Sequence, residues 1–200
     1  MIDYKEFNRR GSLAARELFQ TAQRLFVEGR HQESIAVFTE FMDMRGEKEI
    51  ALLSRGVAYL KTEKIDNSIE DFGKVITLNS QNVRAYFYRG TALMAKEDFE
   101  NAVKDFDKTI ELKPDNGVAF FARGSAYAQI GNEYEAVRNI RKALTFSEMN
   151  VQGGTEDVGL FRTQIDKAMA VMTDSEKILS VMLTENEIVM VKKWLDQMDQ

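Results

Sequence analysis

The sequence predicts an all-α fold built as an array of stacked helix pairs, and three observations support that prediction. Gly56, Gly90 and Gly124 recur at equal intervals along the chain. Only one proline occurs in the 200 residues. Apolar residues recur at steps of three and four nearly throughout, which is typical of one helix face, and strand-like alternation is hard to find. A fixed period in the range of about 20–50 residues indicates a repeat array in which each unit buries its apolar face against its neighbours.

The composition indicates a folded, acidic protein. Hydrophobic residues make up 44% of the chain and charged residues 30%, which is enough apolar material for a core. The formal charge of -5 and the pI near 5.1 argue against nucleic acid or anionic membranes as partners, because both require basic surface. We therefore expect neither.

The absence of cysteine and of targeting features favours a cytoplasmic protein. Without cysteine the chain has no disulfides, thiolate nucleophiles or cysteine metal ligands, which fits a reducing compartment. The N-terminal stretch MIDYKEFNRRGSLAARELFQ carries early acidic residues and lacks the apolar core of a signal peptide. No run of about 18 apolar residues exists that would cross a membrane.

Each period is predicted to hold two helices that approach closely. A small residue follows each glycine by twelve positions: Ser68, Ala102 and Ala136. A large apolar residue follows by sixteen: Phe72, Phe106 and Ile140. If Gly90 faces Ala102, the two helices can approach to the short end of the usual range of about 8–10 Å.

The third period shows where its helices begin and end. The pattern predicts helices over Val83–Ala95 and Phe99–Leu112, with Asp98 as the N-cap of the second. Asn82 and Asn116 stand where N-caps of the third and fourth units belong.

The regularly spaced residues of this period carry a resemblance to a known family. Tyr86, Gly90, Ala102, Phe106 and Pro114 fit the pattern W-x2-L-G-x2-Y, then A-x3-F, then P, so the chain resembles the tetratricopeptide repeat family. The resemblance implies a right-handed α-solenoid of helix-turn-helix repeats. The chain then divides as follows: 1–14, an extension leading into the first helix; 15–48, a degenerate first repeat; 49–82, 83–116 and 117–150, three further repeats; and 151–200, a linker with C-terminal capping helices.

The sequence departs from the family at the residue before each glycine, where leucine is usual. Arginines stand there instead: Arg55, Arg89 and Arg123. They are either a row of guanidiniums that grasps an anionic ligand or structural residues that pair locally. Sixteen positions later come Asp71, Asp105 and Asn139. We predict the pairs Arg55–Asp71 and Arg89–Asp105, with Asn139 as a neutral substitute.

The resemblance also implies a concave ligand-binding groove lined by the first helix of each repeat. The corresponding residues form a mainly apolar and aromatic set: Phe19, Leu53, Val57, Leu60, Arg84, Phe87, Tyr88, Thr91, Met94, Phe121 and Ser125. Part of the family captures a C-terminal carboxylate with a Lys/Asn/Arg clamp, and no such clamp is recognisable here. The groove could receive a helix or extended segment of a partner, or this protein's own tail or a second copy. Some of these positions could instead be core.

The tail contains candidates for covering such a groove. Helices are predicted over about Glu156–Met172 and Ser175–Leu183, and a last one after Thr184, where TENE has the form of a capping box. One face of the last helix is apolar and consists of Ile188, Val191, Leu195 and Met198, with Trp194 alongside. These helices either cap the array or form a binding segment.

No motif predicts catalysis. His31 is the single histidine and lies at a turn, and the chain has no nucleophile elbow, phosphate loop or HExxH helix. We therefore expect no enzyme activity, no cofactor and no metal. The expected function is a protein-interaction scaffold that binds a peptide or helix of a partner protein. The alternatives are a chaperone that shields an apolar client segment and a self-assembling subunit that forms homo-oligomers.

Overall fold

The computed structural model describes residues 4–45 and 48–147, which contain eight α helices and no strand. In chain order the helices are α1 Tyr4–Val27, α2 His31–Arg45, α3 Glu49–Lys61, α4 Ile65–Leu78, α5 Val83–Ala95, α6 Phe99–Leu112, α7 Gly117–Gln129 and α8 Glu133–Ser147. The chain divides into two compact units, Met1–Ala85 and Tyr86–Gln200.

The bounds of α5 and α6 confirm the helix prediction for the third period. The predicted caps also form. The side chain of Asp98 accepts from the backbone N–H of Asn101 at 3.4 Å, and that of Asn116 accepts from Ala119 at 3.1 Å. Asn82 accepts from the N–H of Ala85 at 2.9 Å. Each cap satisfies a backbone donor that has no partner within its helix.

The first helix reaches further toward the N-terminus than the first repeat requires. Helix α1 begins at Tyr4, so residues 4–14 of the expected N-terminal extension are already helical. At the other end, the helices expected over Glu156–Met172, over Ser175–Leu183 and after Thr184 lie outside the described residues, as does the expected C-terminal cap.

The turn between the two helices of each pair has one repeated geometry. Gly29, Glu63, Glu97 and Gly131 lie one repeat period apart, and all have left-handed backbone with φ of 76°, 58°, 64° and 76°. In the second turn the N–H of Lys64 donates to the carbonyl of Tyr59 at 2.9 Å, and that of Glu63 donates to Leu60 at 3.1 Å. These two bonds form a Schellman motif, which ends the helix by satisfying its last carbonyls.

The core of the first unit lies between the helices of its two pairs. Phe38 of α2 and Phe72 of α4 are completely buried. Around Phe38 lies an apolar cluster composed of Ala22, Met42, Ala51, Leu52, Val75 and Ala85. A Cβ placed on Gly56 would lie 2.6 Å from the ring of Phe72, so glycine makes room for that ring.

The second unit repeats this packing with one change. A Cβ on Gly90 would lie 2.7 Å from the ring of Phe106. At Gly124, where the large residue is Ile140, the nearest atom is the backbone oxygen of Ala136 at 3.0 Å. The glycine therefore faces the small residue most directly in the last pair and the aromatic ring in the two pairs before it.

Candidate protein-interaction surface

Arg55 is held by the second helix of its own pair and by the helix before it. Its Nε and one terminal nitrogen donate to the two carboxylate oxygens of Asp71 at 2.8 and 2.7 Å. The other terminal nitrogen donates to the hydroxyl of Thr39 at 2.9 Å. The guanidinium also lies 5.5 Å from the ring centroid of Tyr59. The predicted Arg55–Asp71 pair is confirmed.

Arg89 makes the second predicted pair. It donates from Nε and from a terminal nitrogen to the carboxylate of Asp105, both at 2.7 Å. Its guanidinium lies 5.8 Å from the ring centroid of Tyr86. Two parallel bonds of this kind fix the orientation of the arginine as well as its charge.

Arg123 has a neutral partner on α8, the second helix of its own pair, and a charged partner on α6, the helix before that pair. Its Nε donates to the amide oxygen of Asn139 at 2.8 Å, which confirms the neutral substitution. A terminal nitrogen donates to the carboxylate of Asp107 on α6. The sequence reasoning missed Asp107, although its position sixteen places before Arg123 matches that of Thr39 before Arg55.

Burial sets the electrostatics of these contacts. The arginine side chains are 13% to 28% exposed, and the side chains of Asp71 and Asp105 are 2% and 6% exposed. Burial raises the pKa of Asp71 above its ordinary value, and the neighbouring Arg55 opposes that rise. The hydrogen bonds that Arg89 donates to the carboxylate of Asp105 raise the pKa of Arg89. The three arginines brace helices, and the hypothesis that they form a row of free guanidiniums for an anionic ligand is wrong.

In the first unit, several of the predicted groove residues remain partly open. Phe19 on α1 and Leu53 on α3 are half-buried and pack against the apolar cluster around Phe38. The ring of Phe19 lies 5.8 Å from that of Phe38. Further along α3, Val57 and Leu60 are buried. Arg84, at the start of α5, is exposed.

In the second unit the predicted groove residues are buried. The set consists of Phe87, Tyr88, Thr91, Met94, Phe121 and Ser125. The ring of Phe87 lies 5.7 Å from that of Tyr88 and 6.1 Å from that of Phe106. At equivalent helix positions, Phe19 and Leu53 are therefore partly open in the first unit, whereas Phe87 and Phe121 are buried in the second.

The described residues offer little that resembles a catalytic or metal site. His31 begins α2 and is half-buried, with its ring 5.0 Å from that of Phe26. Burial, with a smaller effect of Lys61, lowers its pKa. Within residues 4–45 and 48–147 no group of three His, Cys, Asp or Glu could hold a metal ion. In the same ranges, no helix is long and apolar enough to span a membrane.

Family models match the repeats seen in this geometry. A model described as "Tetratricopeptide repeat" matches residues 83–116, and a second with the same description matches residues 51–82 and 118–148. The chain belongs to the tetratricopeptide repeat (TPR) family. No curated protein matches the chain.

Solved TPR proteins have the same fold. Residues 41 to the end of MamA from Desulfovibrio magneticus RS-1 match with a TM-score of 0.64 and 15% identity, covering 85% of this chain and 97% of that one. YrrB, described as a TPR protein with an unusual peptide-binding site, matches with a TM-score of 0.64 and 21% identity, covering 70% and 72%. These matches and the described helices show an all-α TPR solenoid.

A third TPR structure was solved with a ligand. The first TPR of Spaghetti (RPAP3), bound to the HSP90 peptide SRMEEVD, has a TM-score of 0.57 and 26% identity. The match covers 58% of this chain and 93% of that one.

Proposed function

We propose that this TPR protein is a non-catalytic scaffold that binds an apolar peptide or amphipathic helix of a partner protein along its first-helix face. The face lies on the first unit and is defined by Phe19 of α1 and Leu53 of α3. The observation that carries the proposal is the partly open apolar surface of the first unit, to which Phe19 and Leu53 contribute. These residues also pack against a rigid core, so the surface is preorganised before a partner arrives.

The exposed neighbours of Leu53 extend this surface. Ile50 lies three residues before it, hence on the same side of α3, and is 57% exposed. An exposed isoleucine one turn before a half-buried leucine matches the helix-in-groove mode, in which apolar anchors recur every three to four residues. The aromatic ring of Phe19 supplies the kind of side chain that dominates binding energy at protein interfaces.

YrrB and the first TPR of Spaghetti (RPAP3) are both associated with peptides, which supports a peptide as the ligand of this protein. The residues of this chain favour an apolar peptide. An acidic peptide needs basic side chains on the first helices, as in the Lys/Asn/Arg clamp of part of the family. The corresponding positions hold Phe19, Gln23, Ser54, Arg84 and Tyr88. Of these only Arg84 is basic. Recognition therefore rests on apolar contacts with the partner and not on capture of the partner's terminal carboxylate.

A comparison of partner capture by two matched surface variants tests the proposal. Leu53→Asp places a charge on the first-helix face, and Leu78→Asp changes an apolar residue on α4 that is 56% exposed. We expect Leu53→Asp to lower partner capture from lysate of the source organism at least tenfold, because a carboxylate would be desolvated against apolar side chains. Leu78→Asp should capture as well as the unchanged protein.

Circular dichroism of both variants provides the folding control. If both retain full helicity and Leu53→Asp still captures the same partner undiminished, the first-helix face is not the binding surface.

A further inference from the structure

Three residues of α7 form a buried stripe that needs a cover. Phe121, Ser125 and Ala128 are spaced four and three residues apart, so they lie on one side of the helix. They are 1%, 2% and 6% exposed. Burial this complete requires other protein atoms on that side of α7.

The other sides of α7 already face described helices. Gly124 faces α8, and the ring of Phe120 stacks on Phe146 of α8 at 5.7 Å. Arg123 reaches Asp107 on α6. At 100° per residue, Phe121 and Ser125 are turned by roughly 100° from Phe120 and Gly124, on the side away from Arg123. The buried stripe is therefore a third side of the helix.

The same positions on α5 form a second buried stripe of similar chemistry. Phe87, Thr91 and Met94 are also less than one tenth exposed. The hydroxyl of Thr91 donates to the carbonyl of Phe87 at 2.9 Å, and that of Ser125 donates to Phe121 at 3.1 Å. Since both hydroxyls are satisfied within their own helices, the two stripes require no polar partner. They suit a row of apolar side chains.

We propose that the C-terminal segment Ile188–Met198 of the same chain covers these stripes. Its sequence carries one apolar face, consisting of Ile188, Val191, Leu195 and Met198, directly after the capping box that begins at Thr184. As a helix this segment is about 15 Å long, which exceeds the roughly 10 Å from residue 121 to residue 128 of α7.

The length of chain before this segment allows it to reach the stripes. Helix α8 ends at Ser147, and residues 148–187 connect it to Ile188. Even a compact linker of this length spans a small domain, so a contact within one chain is feasible. This contact is separate from the proposed function and does not depend on it. A covered second unit would, however, leave the partly open face of the first unit to the partner.

Crosslinking within the full chain tests the contact. The protein has no cysteine, so a pair of introduced cysteines reacts without background. The test variant is Ser125→Cys with Val191→Cys, treated with a short bismaleimide at low protein concentration. The matched control is Ser125→Cys with Lys193→Cys, which moves the second thiol to the opposite side of the same predicted helix.

We expect an intramolecular crosslink several-fold more abundant in the Val191→Cys variant than in the Lys193→Cys variant. Equal yields in the two variants, or no intramolecular crosslink in either, would overturn the proposal. A crosslinked dimer whose yield grows with protein concentration would also overturn it, by assigning the stripe to a second copy.

The emission of Trp194, the only tryptophan, gives a second readout that does not need crosslinking. We expect Trp194 to be several-fold less accessible to acrylamide quenching in the unchanged chain than after Ser125→Asp. Leu78→Asp should leave the quenching unchanged. Equal quenching in the unchanged chain and in a folded Ser125→Asp variant would contradict the contact.

Discussion

Single residues show how the chain replaces a family leucine by arginine without leaving a buried charge unpaired. Arg55 and Arg89 each have a carboxylate on the second helix of their own pair. Arg123 has an asparagine there and takes its carboxylate from the preceding helix. The first two pairs could be predicted from a fixed offset in the sequence. The Arg123–Asn139 contact follows from the same offset, but the Arg123–Asp107 pair does not, because it joins two successive helix pairs.

Removal of one partner of the Arg55–Asp71 pair should cost far more than removal of both. Arg55→Leu restores the usual family residue but leaves the buried Asp71 carboxylate without its guanidinium, at a cost of about 3–5 kcal/mol in the free energy of unfolding. The double variant Arg55→Leu, Asp71→Leu should lose less than Arg55→Leu alone, and hence less than the sum of the single variants. Urea denaturation followed by circular dichroism measures all three. Strict additivity would show that the pair has no coupling energy.

The pH dependence of Arg55→Leu follows from the pKa of Asp71. Burial already raises that pKa above its ordinary value of 3.8, and loss of Arg55 removes an opposing effect. A raised folded-state pKa adds stability below the unfolded value, and that stability is lost as pH rises to the folded value. The destabilisation by Arg55→Leu should therefore be smaller at pH 4 than at pH 7. Equal destabilisation at both pH values would contradict this assignment.

Two equivalent serines offer a matched test of buried hydroxyls. The hydroxyl of Ser34 donates to the carbonyl of Ala22 at 2.8 Å. The hydroxyl of Ser68, at the same position of the next repeat, is buried and has no hydrogen-bond partner among the described residues. Ser34→Ala should cost about 1 kcal/mol, whereas Ser68→Ala should be neutral or stabilising. Thermal unfolding measures both, and a larger loss for Ser68→Ala would refute the difference.

At the level of elements, the helix ends were partly predictable. Asp98, Asn82 and Asn116 are residues that cap helices through short polar side chains, so the starts could be read directly. The turns after the first helices were harder to predict. Gly29 and Gly131 suit left-handed backbone, but Glu63 and Glu97 adopt the same geometry. The Schellman bonds impose that conformation on glutamate in spite of its side chain.

Replacement of Glu97 by glycine should stabilise the protein. A left-handed conformation costs a residue with a side chain about 1–2 kcal/mol, which glycine would avoid. The greater flexibility of glycine in the unfolded chain offsets about 0.5–1 kcal/mol of that gain in stability. Glu97→Gly should therefore gain about 0.5–1 kcal/mol in denaturant unfolding. Gly131→Ala, the reciprocal change, should destabilise. A loss of stability in Glu97→Gly would show that the turn does not strain its glutamate.

At the level of the whole molecule, the sequence predicted the fold better than the binding surface. The repeat period specified the helix pairs, because a glycine of the first helix meets the second helix of the same pair at each of Gly56, Gly90 and Gly124. It also nominated the first-helix residues as a groove. It could not show that Phe87 and Phe121 are buried while Phe19 and Leu53 stay partly open. Coverage of a face depends on tertiary contacts, which the repeat period does not encode.

Site-specific photo-crosslinking is the most direct measurement of the central claim, that the first-helix face binds a partner protein. A photoreactive amino acid would be placed at Leu53 in one variant and at Leu78 in another, and both would be irradiated in cells of the source organism. We predict a discrete adduct with one partner at position 53, mapping by mass spectrometry to an apolar or amphipathic peptide, and none at position 78. Adducts at position 78 alone, or with the same partner at both positions, would contradict the account.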